Sequence, residues 1–158
     1  MTFHSLDTIR KHTRSLHREL ETIVPLSQLT SRTLKKTDYE HALFIQYQWY
    51  TLIEPCIQAG LPARIKRECA FESALPYLIE DLSQKSMPVY YGKPKVLHQS
   101  VNWSLGASYV VLSSSCHSKL ILDNLNDINS HIGTMANKFL SVSCAPDWVM
   151  GNVPTLFS

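Results

Sequence analysis

Apolar positions recur every three or four residues in a run at the start of the chain, which predicts an amphipathic helix from about Ser5 to Glu21. Ser5 can cap the beginning of this helix. The stripe consists of Leu6, Ile9, Thr13, Leu16, Leu20 and Ile23. We expect the stripe to face the interior of the protein.

Two further helical regions follow a polar connector over residues 25–36. The residues Thr37 and Glu40 have the spacing of a capping box, so a second helix is predicted to begin there and to stop at Gly60, with Pro55 bending or ending its last turn. Its predicted apolar face is Ala42, Ile45, Trp49, Leu52, Ile53 and Cys56. Pro62 suits the start of the next helical region.

The rest of the chain also has helical periodicity. One stripe, interrupted by Pro76, precedes a predicted long loop at 85–97; its members are Phe71, Leu75, Leu78, Ile79 and Leu82. A long helix is expected from about Gln99 to Leu125, and a shorter one from about Ser130 to Ser143. No alternating strand pattern or internal repeat competes with this interpretation. The sequence therefore predicts an all-α bundle, with residues 1–158 forming a single domain.

Composition narrows the range of partners. The formal net charge is +2 and the basic residues are dispersed, so we expect no nucleic-acid partner. No apolar run reaches the roughly 18 residues of a membrane span, and the first residues lack the apolar centre of a secretory signal. The four cysteines have no C-x-x-C spacing and are expected to be reduced thiols. These features favour a cytoplasmic protein.

His17 is the best candidate for chemistry, because it lies four residues after Thr13 on the apolar stripe. A neutral imidazole that faces a packed interior is either a hydrogen-bonded core residue or a ligand for a metal or cofactor. Arg10 and Arg14 lie seven and three residues before His17 on the same side of the helix. Their cationic groups beside an apolar crevice would suit a flat apolar ligand that carries carboxylates. A solvated helix face is the alternative for the arginines.

This arrangement of Thr13, His17 and the two arginines, followed by Leu20 and Glu21, resembles the proximal helix of the heme oxygenases. The resemblance implies that His17 is the proximal axial ligand of heme iron and that Arg10 and Arg14 lie near the heme propionates. It also implies heme as the cofactor, and Thr13 as part of the heme site.

A second run, from Leu105 to Ile121, resembles the distal helix of bacterial heme oxygenases. Its first half, which includes Gly106 and Tyr109, fits closely, and the resemblance places Tyr109 in the heme site. Three family glycines fall on Ser113, His117 and Ser118. Those glycines allow helix backbone to lie directly over heme, because only a residue without a Cβ leaves that room. Helical spacing places one set of residues on a common face: Gly106, Val110, Ser113, His117 and Leu120.

The resemblance implies an oxidoreductase that cleaves heme to biliverdin, iron and carbon monoxide, using oxygen and electrons from a reductase or ferredoxin. The catalytic positions would be His117, Ser113 and Ser118. His117 could coordinate the iron, fill the pocket, or point away after a small helix rotation. We expect biliverdin formation to be absent or very slow. The alternative is a non-catalytic heme-binding protein, or a cofactor-free helical interaction or sensor protein of the same fold.

Other sites are less well supported by the sequence. The Glu-x-x-His pairs of a di-iron carboxylate bundle are absent, and no acid is placed to orient His117 toward a neighbouring serine nucleophile. The family continues with further helices beyond the position of Trp148. We therefore expect this chain to lack the last helices of the family domain and to cover the resulting apolar face by forming a homo-oligomer.

Overall fold

The computed structural model describes residues 11–12, 14–16, 18–19, 22, 28–68, 73–89, 100–128 and 138–143, of which 68, 112–117, 128 and 143 are described by their backbone alone. The described residues contain helices and turns but no β-strand, which confirms the predicted all-α fold. The helices are α1 (Lys36–Gly60), α2 (Ala63–Glu68), α3 (Leu75–Gln84), α4 (Val101–Ile128) and α5 (Lys138–Ser143). The described residues between 11 and 19 are also helical and are called the N-terminal helix.

The buried face of α1 differs from the predicted one. Its buried residues are Tyr39, Ala42, Leu43, Tyr47, Tyr50, Glu54, Cys56 and Ile57. The side chain of Leu52, which the sequence placed in the core, is 72% exposed. Ala42 and Cys56 are buried as predicted, but the prediction failed at Leu52 because it omitted three tyrosines, whose rings carry enough apolar surface to orient a helix toward the core.

The predicted start of α1 needs correction, whereas its predicted end at Gly60 is confirmed. The helix begins at Lys36, and Lys35 makes no side-chain capping bond, so the capping box of Thr37 and Glu40 does not form the helix start. Instead, the backbone N–H groups of Asp38 and Tyr39 already donate to the Lys35 carbonyl at 3.1 Å. The helix also continues through Pro55 to Gly60.

A carboxylate of α1 connects this helix to the beginning of α3. The side chain of Glu54 accepts hydrogen bonds from the Ser73 hydroxyl and, at 2.7 Å, from the Ala74 backbone N–H. Pro76 lies in the first turn of α3, so it does not interrupt the helix as the sequence suggested. Proline is tolerated there because first-turn N–H groups have no partner within the helix.

A second carboxylate holds α5. Asp81, fully buried on α3, accepts from the backbone N–H groups of Lys138 and Phe139 at 3.1 and 2.9 Å. The Phe139 ring meets the Tyr50 ring edge to face at 5.6 Å. These contacts attach α5 to α3 and α1. The rest of the predicted helix at 130–143 lies outside the described residues.

The long helix α4 packs its serine-rich face on α1. Buried residues on this face are Ser104, Ser108, Val111, Ser118, Ile121 and Leu125. The Ser104 hydroxyl donates to the Cys56 carbonyl at 3.4 Å, so small side chains let the two helices approach closely. Near the other end of α4, the Asn124 amide donates to the carbonyls of Leu29 and Ser31 in the connector before α1.

The one member of the N-terminal stripe that the structure describes is not buried as expected. Leu16, the described apolar member of that stripe, is 58% exposed. The core cluster of the described residues runs from Leu29 to Leu140 and is drawn from the connector and the helices that follow it. It is therefore built without Leu16, whose apolar surface stays available for another contact.

Candidate functional site

The face of α4 that the sequence assigned to heme is open in the structure. Val110 is 43% exposed and Leu120 is 56% exposed, although both are large and apolar. A methyl group built on Gly106 would meet no atom within 4 Å. This surface of Gly106, Val110 and Leu120, called the open face of α4 below, lies opposite the serine-rich face.

Two of the residues predicted to act at the distal side, Ser113 and His117, lie within α4, but their side chains are outside the described residues. They occur between Val110 and Leu120 in the sequence, and those two positions are about 15 Å apart along a helix that rises 1.5 Å per residue. The open face is therefore long enough to lie along a flat macrocycle.

Ser118 is placed differently. It is buried on the side of α4 that packs into the core, together with Ser108 and Val111. The Cβ of Ser118 therefore does not occupy the space above the open face. Tyr109 is half-buried beside that face and has an interaction partner.

On the proximal side, three of the predicted residues, Arg10, Thr13 and His17, lie outside the described residues. Arg14 is described and is exposed on the N-terminal helix. The structure therefore neither joins nor separates the two halves of the predicted site. The described residues contain no group of three or more His, Cys, Asp and Glu side chains that could hold a metal ion.

Several buried ionisable groups of the described residues lie elsewhere in the fold. Burial raises the pKa of the Glu54 carboxyl and of the Asp81 carboxyl above their ordinary values. Burial also lowers the pKa of Lys85, whose ammonium group lies 3.8 Å from the Glu40 carboxylate and 5.3 Å from the Tyr39 ring centroid. Sequence analysis missed the two buried carboxylates. The sequence feature that could have revealed them is an acidic residue between the buried apolar positions of a helix.

Comparison with known families gives one match. Residues 4–92 match the family model named Heme oxygenase. Because that range is more than half of the 158 residues, the chain belongs to the heme oxygenase family. No curated protein and no solved structure matches it. The family match contains the position of His17 and ends before α4.

The described part of the candidate site is an apolar surface with free space above it. A porphyrin needs an apolar surface with room for its plane, and the open face of α4 combines exposed Val110 and Leu120 with free space above Gly106.

No helix among the described residues is long and apolar enough to cross a membrane.

Proposed function

We propose that this member of the heme oxygenase family binds heme between its N-terminal helix and the open face of α4, with His17 as the proximal ligand. The open face supports this proposal most directly. Exposed apolar side chains cost free energy in water, and covering them with a macrocycle recovers roughly 25 cal/mol for each Å² removed from solvent. Arg14, and Arg10 one turn earlier, would pair with the propionates.

Bound heme supplies the iron and the redox chemistry of oxygen activation, while the protein supplies binding, orientation and control of water access. In this proposal His17 holds the iron, Thr13 and Tyr109 line the site, and the arginines select a ligand with carboxylates. Ser113 and His117 occupy positions where the family has glycine. Their additional atoms reduce the room above the macrocycle, so we propose that heme is bound but cleaved to biliverdin slowly or not at all.

Hemin titration of surface variants tests the binding surface. A carboxylate on the open face would have to be desolvated beneath an apolar ligand, so Val110→Asp and Leu120→Asp should each weaken hemin binding about tenfold or more. Leu52→Asp is the matched control, because Leu52 is even more exposed but belongs to α1. Equal affinity of all three variants and the wild type would place heme elsewhere.

Turnover is tested separately, with hemin, oxygen and a ferredoxin or reductase as electron donor. The wild type should form little biliverdin, and the double variant Ser113→Gly, His117→Gly should form more. Ser118→Gly should leave turnover unchanged, because Ser118 is buried in the core. Rapid biliverdin formation by the wild type would overturn the proposal of slow cleavage and leave heme binding intact.

A further inference from the structure

One side chain of α4 binds the connector that lies between the N-terminal helix and α1. The Asn124 amide nitrogen donates to the Leu29 carbonyl at 2.9 Å and to the Ser31 carbonyl at 3.2 Å. Leu29 and Ser31 belong to the connector that follows the N-terminal helix and precedes α1. A single amide group therefore links the connector to the C-terminal part of α4.

Two residues of the connector are anchored in the core. Leu29 and Leu34 are both buried, and the Leu34 N–H donates to the Ser31 carbonyl at 3.3 Å. The hydroxyls of Ser31 and Thr33 are 2.9 Å apart and hydrogen-bonded. Because Leu29 and Leu34 are buried and Asn124 binds the carbonyls of Leu29 and Ser31, this part of the connector is held against α4.

The position of Asn124 makes this link relevant to heme. Asn124 lies seven residues after His117, about two helical turns, and Leu29 lies twelve residues after His17. We propose that Asn124 is a positioning residue, which sets the distance between the N-terminal helix and the open face of α4 and thereby the width of the heme site. This inference rests on the proposed function.

The chemistry of the amide explains why asparagine suits this position. Its NH₂ group has two donors, which match the two carbonyl acceptors of the connector. An aspartate has the same shape, but its carboxylate only accepts hydrogen bonds and would repel both carbonyl oxygens. Asn124→Asp should therefore release the connector and loosen the gap between the two helices.

The same helix offers a control with the same change in charge. Asn126 is exposed on α4 two residues later, so Asn126→Asp adds an equal negative charge without breaking the link. Asn124→Ser, which keeps one donor, serves as the second variant if Asn124→Asp does not fold.

The experiment compares hydrogen exchange of the apoprotein with hemin titration followed by the Soret band. Asn124→Asp should accelerate exchange of the Leu34 amide, weaken hemin binding about tenfold and shift the Soret maximum, because the iron is then held less uniformly. Asn124→Ser should show the same changes to a smaller degree. Asn126→Asp should match the wild type in all three measurements.

Failure of this inference and failure of the proposed function give different results. If the wild type binds hemin and Asn124→Asp exchanges faster at Leu34 but keeps the wild-type affinity and Soret maximum, Asn124 is only structural and the inference is overturned. If the wild type binds no hemin, the proposed function fails and this inference fails with it. In that case the exchange measurement reports only on the link between α4 and the connector.

Discussion

At the scale of single residues, two buried carboxylates connect neighbouring helices. Glu54 and Asp81 each accept hydrogen bonds from backbone N–H groups of another segment. Such groups at a helix N-terminus lack partners within the helix, so a carboxylate from a neighbouring helix satisfies them and fixes the relative placement of the two helices.

Asp81→Asn should lower the free energy of unfolding by about 1–3 kcal/mol, because the amide NH₂ would face a backbone N–H and leave a buried donor unsatisfied. Removing the buried charge offsets only part of this loss. Glu80→Gln is the control, since it removes an exposed carboxylate that pairs with Lys138 at 2.6 Å and should cost less than about 1 kcal/mol. Denaturant unfolding measures both variants. Equal losses of unfolding free energy in the two variants would show that the hydrogen bonds of Asp81 to α5 contribute no more than the exposed ion pair of Glu80 and Lys138.

The same carboxylates predict a dependence of stability on pH. Because burial raises their pKa values in the folded state, the folded protein binds more protons than the unfolded chain between the ordinary carboxyl pKa of about 4 and the raised values. Their contribution to the free energy of unfolding should therefore fall as the pH rises through this window. Asp81→Asn should reduce that slope in denaturant unfolding measured across the window. An unchanged slope would contradict the assignment to Asp81.

At the scale of helices, α4 has one face in the core and an open face that includes a glycine. Gly106 lies inside the helix, where glycine costs roughly 1 kcal/mol relative to alanine, and a methyl group there meets no atom within 4 Å. Gly106→Ala should therefore raise the free energy of unfolding by about 0.5–1 kcal/mol, measured by thermal and denaturant unfolding. A loss of stability would mean that the space above Gly106 is occupied.

Helical periodicity predicted α1, α3 and α4 to within a few residues, because each buries a stripe of apolar side chains. It did not predict which side of α1 faces the core. Tyr39, Tyr47 and Tyr50 are buried there, and Leu52 is exposed. The hydrogen bond from the Phe139 N–H of α5 to the Asp81 carboxylate could not be predicted either, because the two residues are distant in sequence and meet only in the folded chain. Within the candidate site, spacing predicted a shared face for Val110 and Leu120, and the structure exposes both.

At the scale of the whole molecule, the exposed apolar side chains outside the open face of α4 favour self-association. Leu52 on α1 is 72% exposed, and Val101 and Trp103 at the start of α4 are also exposed. Large exposed apolar side chains can take part in an interface between copies of a protein. We predict a homo-oligomer in sedimentation velocity, and a lower association constant for Leu52→Asp. A wild type that stays monomeric at high concentration would contradict this prediction.

We expect this chain to hold heme through His17, and a hemin titration of the wild type and His17→Ala, followed by absorbance, tests this expectation. The wild type should form a saturable Soret band. His17→Ala should lose that band or shift it strongly, while circular dichroism shows unchanged helix content. His12→Ala is the control, because it removes an exposed imidazole of the same helix and should leave the spectrum unchanged. Identical heme spectra for the wild type and His17→Ala would contradict the claim.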